Sequence, residues 1–119
     1  MADRYVAAFV QADIDTLTRL LADEVVLEMP PFLIWFRGRE TVAAFLGARA
    51  LAAPDRWRVL PFGANGQPAV GAYLRQPDGR HHANSVQVLG AGEAGVAWIA
   101  AFAEPGLFAT FGLPLVYPA

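Results

Sequence analysis

The hydrophobic period of this chain changes partway along, and that change constrains the fold more than any single motif. Tyr5, Val6, Phe9 and Val10 recur at helical spacing, and Ile14, Leu17, Leu20 and Leu21 do so again. Gln11-Ala12-Asp13 interrupts the stripe. Asp13 is placed to cap a second helix, and Asp15 falls in its first turn, where the helix dipole favours negative charge. Two helices therefore meet at a corner near Ala12. A short strand is expected over Val25 to Met29, and a third helix over Arg39 to Ala50 with Val42, Phe45 and Leu46 on its buried face.

From Trp57 onward the pattern becomes strand-like. Trp57 to Phe62 and Pro68 to Arg75 flank Asn65-Gly66, a strong hairpin signal. Gln76-Pro77-Asp78-Gly79 is another turn, because proline presets φ and glycine accepts a positive one. Arg80 to Leu89 and Val96 to Glu104 follow as strands around a glycine-rich connection. Pro105 to Gly112 has room for a turn or two of helix before Leu113-Pro114 ends it. Helices first and four antiparallel strands after is an α+β pattern in a single domain over residues 1–119: N-terminal helices packed on one face of a strongly bent antiparallel sheet. Such a sheet and its helices enclose a cone, whose mouth lies near the first strand.

At that mouth stands "EMPPFLIWFRGRE", Glu28 to Glu40. Proline fixes φ and lacks a donor, so Pro30-Pro31 turns the chain out of the strand ladder. The apolar residues after it need an apolar volume, and the cone is the nearest. Pro30-Pro31-Phe32 are therefore expected to form the lip of an apolar cavity, with Trp35 against its wall and Glu28 near its entrance. Tyr5, Phe9, Met29, Tyr73, Val86 and Phe102 are the other wall candidates. Phe108 and Phe111 are placed to fold back over the open end.

Composition removes several classes. The 119 residues hold no cysteine, so disulfides and thiolate metal sites are excluded, in keeping with a cytoplasmic location. The nine basic residues are all arginine and scattered singly, whereas a nucleic-acid binder concentrates them; no nucleic acid is expected as a partner of this chain. Without lysine, Schiff-base chemistry has no nucleophile. Apolar residues make up 55%, yet no run reaches the roughly 20 of a membrane span.

The polar candidates are few. Glu28, Tyr5 and His82 are the catalytic candidates. Glu28 reads either as a carboxylate acting in an apolar mouth or as an outward strand residue paired with Arg37 or Arg39. His81 and His82 are adjacent on a strand and point opposite ways, so no metal site and no cofactor are expected. His82 and Asn84 share a face and read as a polar pair orienting a ligand, or as surface residues.

The stretches "RYVAAF", "ADIDTLTRLLADEVVLEMPP" and "WFRGRETVAAFL" resemble the SnoaL-like branch of the NTF2-like superfamily. "LEMPPF", "WFRGRE" and the ending "AFAEPGLFATFGLP" are similar to the C-terminal SnoaL-like domain of extracytoplasmic-function sigma factors. The resemblance implies an NTF2-like cone, and RNA polymerase or sigma domains as partners if the domain belongs to a longer protein. The promoter-reading regions of a sigma factor do not occur in these residues, so an excised domain and a stand-alone relative are both open. In the related ketosteroid isomerases a catalytic tyrosine falls at Tyr5, the general base at Met29 and a second oxyanion donor near Val86. Two of those positions are apolar here, which argues against steroid-isomerase chemistry. Trp98 stands where the sigma-factor domains often carry a charge, which suggests either a homodimer through the sheet face or a repacked pocket.

The expected function is thus a regulatory domain binding a small apolar molecule. The alternative is a small cofactor-free isomerase, cyclase or epoxide hydrolase. Val10, Leu33 and Trp98, apolar where polar or smaller residues are expected, also leave open an engineered pocket on this scaffold.

Overall fold

A computed structural model describes residues 2–50, 56–64 and 67–118. Helix α1 (Ala2–Val10) buries Tyr5, Ala8 and Phe9. Ala12, at φ 55°, turns the corner, and the Asp13 carboxylate accepts the Thr16 amide at 3.2 Å to cap α2 (Ile14–Leu20). The helix stops where periodicity alone would continue it. Leu21 is already extended and opens β1 (Leu21–Glu28), which is longer than the strand expected over Val25 to Met29. Leu21 pairs with Val96, a partner that local spacing cannot reveal. Gly95 permits this junction: at φ 131° it passes so close to α2 that a Cβ there would stand 2.4 Å from the Leu20 carbonyl oxygen.

After the Pro30-Pro31 turn, β2 (Trp35–Arg37) returns antiparallel to β1, a strand the sequence reading missed. Helix α3 (Arg39–Phe45) buries Val42 and Ala43 and relaxes into a π-helical stretch, Leu46–Ala50, within the single helix expected. Then come β3 (Trp57–Ala64), β4 (Gln67–Arg75), β5 (His81–Gly92) and β6 (Gly95–Phe102), followed by the short α4 (Leu107–Thr110). The expected turn at Asn65-Gly66 lies outside the described residues. At Gln76 to Gly79 the turn forms as expected, with Gly79 at φ 79°.

The sheet order is β2-β1-β6-β5-β4-β3. It is mixed, where an antiparallel sheet was expected, because β1 lies parallel to β6. A parallel pair needs a long crossover, and here most of the chain lies between the two strands. Register shifts at Ala72/Tyr73 and Gly90/Ala91 interrupt the ladders, as bulges that bend a sheet do.

The two faces of the sheet carry separate cores. The concave face packs Val25, Leu27, Leu89, Val96 and Ile99 against Tyr5, Phe9, Leu17 and Val42 of the helices. On the convex face, Tyr73, Val86 and Phe108 form a second cluster with Leu60, Phe62 and Phe102. No helix among the described residues is long and apolar enough to cross a membrane.

Candidate functional site

Strand alternation and one bulge decide what faces the concave space. Leu27 of β1 and Met29 just after it, Ile99 and Ala101 of β6, and Phe9, Phe45, Leu46 and Trp57 surround a cavity of about 230 Å³. Phe32 and Ala103 lie at its edge, and Phe32 is 57% exposed. The polar lining comes from β5 alone: Asn84, Ser85 and Gln87. Ala72 pairs with Ser85 and Tyr73 with Ala83, so Asn84 is the extra residue of a bulge, and neighbours Asn84 and Ser85 both reach the cavity. No lining residue among those described carries an ionisable side chain.

Tyr5 stands one layer behind. Its hydroxyl donates to Gln87 Oε1 at 3.1 Å in a buried contact, and its ring stacks on Phe9 at 6.2 Å between centroids. Burial raises the Tyr5 phenol far above its ordinary value, so it stays protonated and remains a donor. Gln87, 6% exposed, was not among the sequence candidates. With Val86 read as a wall residue, alternation sent Gln87 to the opposite face, so no local signal pointed to it.

The stretch after the first strand divides between the two faces. Met29 lines the cavity, while Glu28, next to it, faces the convex side, where its carboxylate accepts the Trp98 indole N–H at 2.9 Å. Glu28 thus pairs with neither expected arginine. Arg39 holds the Leu21 carbonyl at 3.0 Å and Asp23 at 3.0 Å, and the Arg37 guanidinium lies 5.6 Å from the Trp35 ring centroid. Trp35 sits opposite Glu28 in the ladder and is 59% exposed, where it was expected against the cavity wall. A single rule accounts for both: residues paired across two strands share a face, so Trp35 follows Glu28 outward.

Three further wall candidates also belong to the convex side. Tyr73, Val86 and Phe102 pack around Phe108, and the Tyr73 hydroxyl donates to the Pro114 carbonyl at 2.7 Å. Phe108 therefore covers the back of the sheet instead of closing the cone. A Cβ on Gly71 would meet Leu113 at 2.9 Å and Phe108 at 3.0 Å, so this glycine lets the tail lie close. His82 does not join Asn84 at the cavity; its Nε2 meets Asp78 at 2.8 Å in an exposed pair. The Arg80 amide and then His82 hold the Asp78 carboxyl below its usual value. Of the sequence candidates, Phe9, Met29, Phe32 and Asn84 meet at the cavity, with Tyr5 supporting them through Gln87. No cluster of three or more His, Cys, Asp or Glu suited to a metal occurs among the described residues.

A bent sheet with helices over its concave face and a cavity between them defines an NTF2-like fold, and known structures agree. The chain superposes on a putative ketosteroid isomerase from Kribbella flavida at TM-score 0.66 and 20% identity, covering 85% of this chain and 73% of that one. It matches an NTF2-like protein from Burkholderia xenovorans at TM-score 0.66 and 16% identity, covering 92% and 88%. A Δ5-3-ketosteroid isomerase from a Mycobacterium species gives TM-score 0.63 and 18% identity over 84% and 87%. The chain belongs to the SnoaL-like domain family, whose model matches residues 2–91. It is also 37% identical over 112 residues to the extracytoplasmic-function RNA polymerase sigma factor SigG of Mycobacterium tuberculosis. That alignment takes in 93% of this chain but only 30% of the sigma factor.

Proposed function

We propose that this domain is a regulatory module that binds a small apolar molecule in its cone and acts on an attached or neighbouring sigma factor in the cytoplasm. The observation that carries the reading is the cavity of about 230 Å³, apolar except for one polar strip on β5. Concave apolar pockets with a few convergent polar groups are the usual form of small-molecule sites. The likeness to SigG supports the sigma-factor setting, with RNA polymerase or sigma domains as partners.

The enzymatic alternative is less well supported. Acid–base catalysis needs a titratable group within reach of the substrate. Met29 occupies the position where the resemblance to isomerases places the base, and Glu28 points to the other face.

A homodimer through the convex face is part of the same proposal. The tail covers the β3–β5 half of that face and leaves Val26, Glu28, Trp35 and Trp98 beside it. Beside the Glu28–Trp98 pair, Phe32, Leu33, Ile34 and Trp35, each at least 47% exposed, give an apolar surface of a kind that monomers seldom leave open.

Binding is tested with an apolar fluorescent probe, read through energy transfer from Trp57, which lines the cavity. Ala101→Phe, aimed into the same space, is expected to abolish the transfer while the circular-dichroism spectrum stays unchanged. Equal binding by the parent and a folded Ala101→Phe protein overturns the cavity as the site. The regulatory half is tested by transcription in vitro with the matching sigma factor, with and without the domain. No effect on initiation removes it.

A further inference from the structure

Resting on the binding reading above, we infer that the cone takes a neutral molecule of one or two rings that presents a carbonyl-type acceptor oxygen to the Gln87 amide. Gln87 has one acceptor and one NH2 donor at the end of its side chain. The buried Tyr5 hydroxyl donates to Oε1 at 3.1 Å, and because a buried phenol needs an acceptor the amide is held with its oxygen toward Tyr5 and its NH2 free for a ligand. Tyr5 is thus a positioning residue, and Gln87 the contact.

Size and charge follow from the same walls. A cavity of about 150 Å³ accommodates benzene. By that scale the 230 Å³ here takes about ten non-hydrogen atoms inside the walls, fewer than the four fused rings of a steroid hold. A charged ligand has no counter-charge, because the lining residues are Phe, Leu, Met, Trp, Ile, Ala, Asn, Ser and Gln. Burial of an unpaired ion in such walls is strongly unfavourable.

The test compares three probes of nearly one shape by 15N–1H correlation spectra of the whole chain: acetophenone, isopropylbenzene and benzoate. Acetophenone is expected to bind about tenfold more tightly than isopropylbenzene, the worth of one net hydrogen bond, and benzoate not to bind. Gln87→Leu should abolish or reverse the preference, because the ketone then gives up water without gaining a donor. Tyr5→Phe, which releases the amide to turn, should shrink the preference while keeping binding. Equal affinities for acetophenone and isopropylbenzene in the parent protein overturn the acceptor rule but leave cavity binding standing. Tighter binding of benzoate, or of a steroid ketone, overturns the charge or the size assignment. Failure of every probe overturns the binding reading itself. The parent comparison decides the matter even where Gln87→Leu does not fold.

Discussion

Two polar contacts at single residues make separable contributions. Trp98 lies over Gly90, whose added Cβ would meet the indole at 3.2 Å, and donates to Glu28 at 2.9 Å. A partly exposed hydrogen bond of this kind is worth roughly 1 kcal/mol net. Trp98→Phe, which keeps the ring and deletes the donor, should lower stability by about that much in urea unfolding, and should cost little more once Glu28→Ala is present. Asp13 acts at the opposite corner. Its bond to the Thr16 side chain, then the one to the Thr16 amide, lowers its carboxyl below the ordinary 3.8. Because the folded value is the lower one, the contribution is complete above about pH 4 and is lost as pH falls through the folded value. Asp13→Ala should therefore destabilise the protein at pH 7 and flatten the acid limb of its stability profile. An acid titration followed by circular dichroism shows which occurs.

At the scale of elements, the short α4 and the junction of α2 with β1 are the sensitive places. Four residues of helix have no stability of their own. What holds α4 is Phe108, fully buried with its ring edge-on to Tyr73 at 5.1 Å. Phe108→Ala is expected to cost about 3–5 kcal/mol and to release the tail, raising proteolysis after Glu104. Gly95→Ala tests the other junction. It forces a Cβ against the Leu20 carbonyl at a φ that alanine seldom adopts, for a loss of about 1–3 kcal/mol. Unfolding midpoints of the two variants provide the check, and retained midpoints would mean that neither contact matters as described.

For the molecule as a whole, the sheet presents two different faces. The concave side encloses the cavity, and the convex side is half covered by its own tail and half left apolar. If the open half is the proposed homodimer surface, sedimentation at high micromolar concentration should show a dimer that Trp98→Glu dissociates. A parent protein that sediments as a monomer removes the proposal. Ligand binding should survive Trp98→Glu, because Trp98 belongs to the face away from the cavity.

The residues by themselves determine the α+β class, the helical corner at Ala12 to Asp13 and the cone, because these follow from local periodicity and turn chemistry. The SnoaL-like family was legible separately, through the resemblance of short stretches. Phe9 and Met29 were candidates for the wall of the cone, and Asn84 for a polar pair with His82 or a surface position. What local spacing left undecided was the face of each strand residue, since alternation says that neighbours oppose but not which one points inward. Tertiary structure made that choice. The parallel pairing of β1 with β6 turned Met29 to the cavity and Glu28 to Trp98, and the bulge at Asn84 changed the phase of β5 so that Gln87, not Val86, meets Tyr5. Pairing partners and bulges depend on contacts far apart in the chain, and no local pattern encodes them.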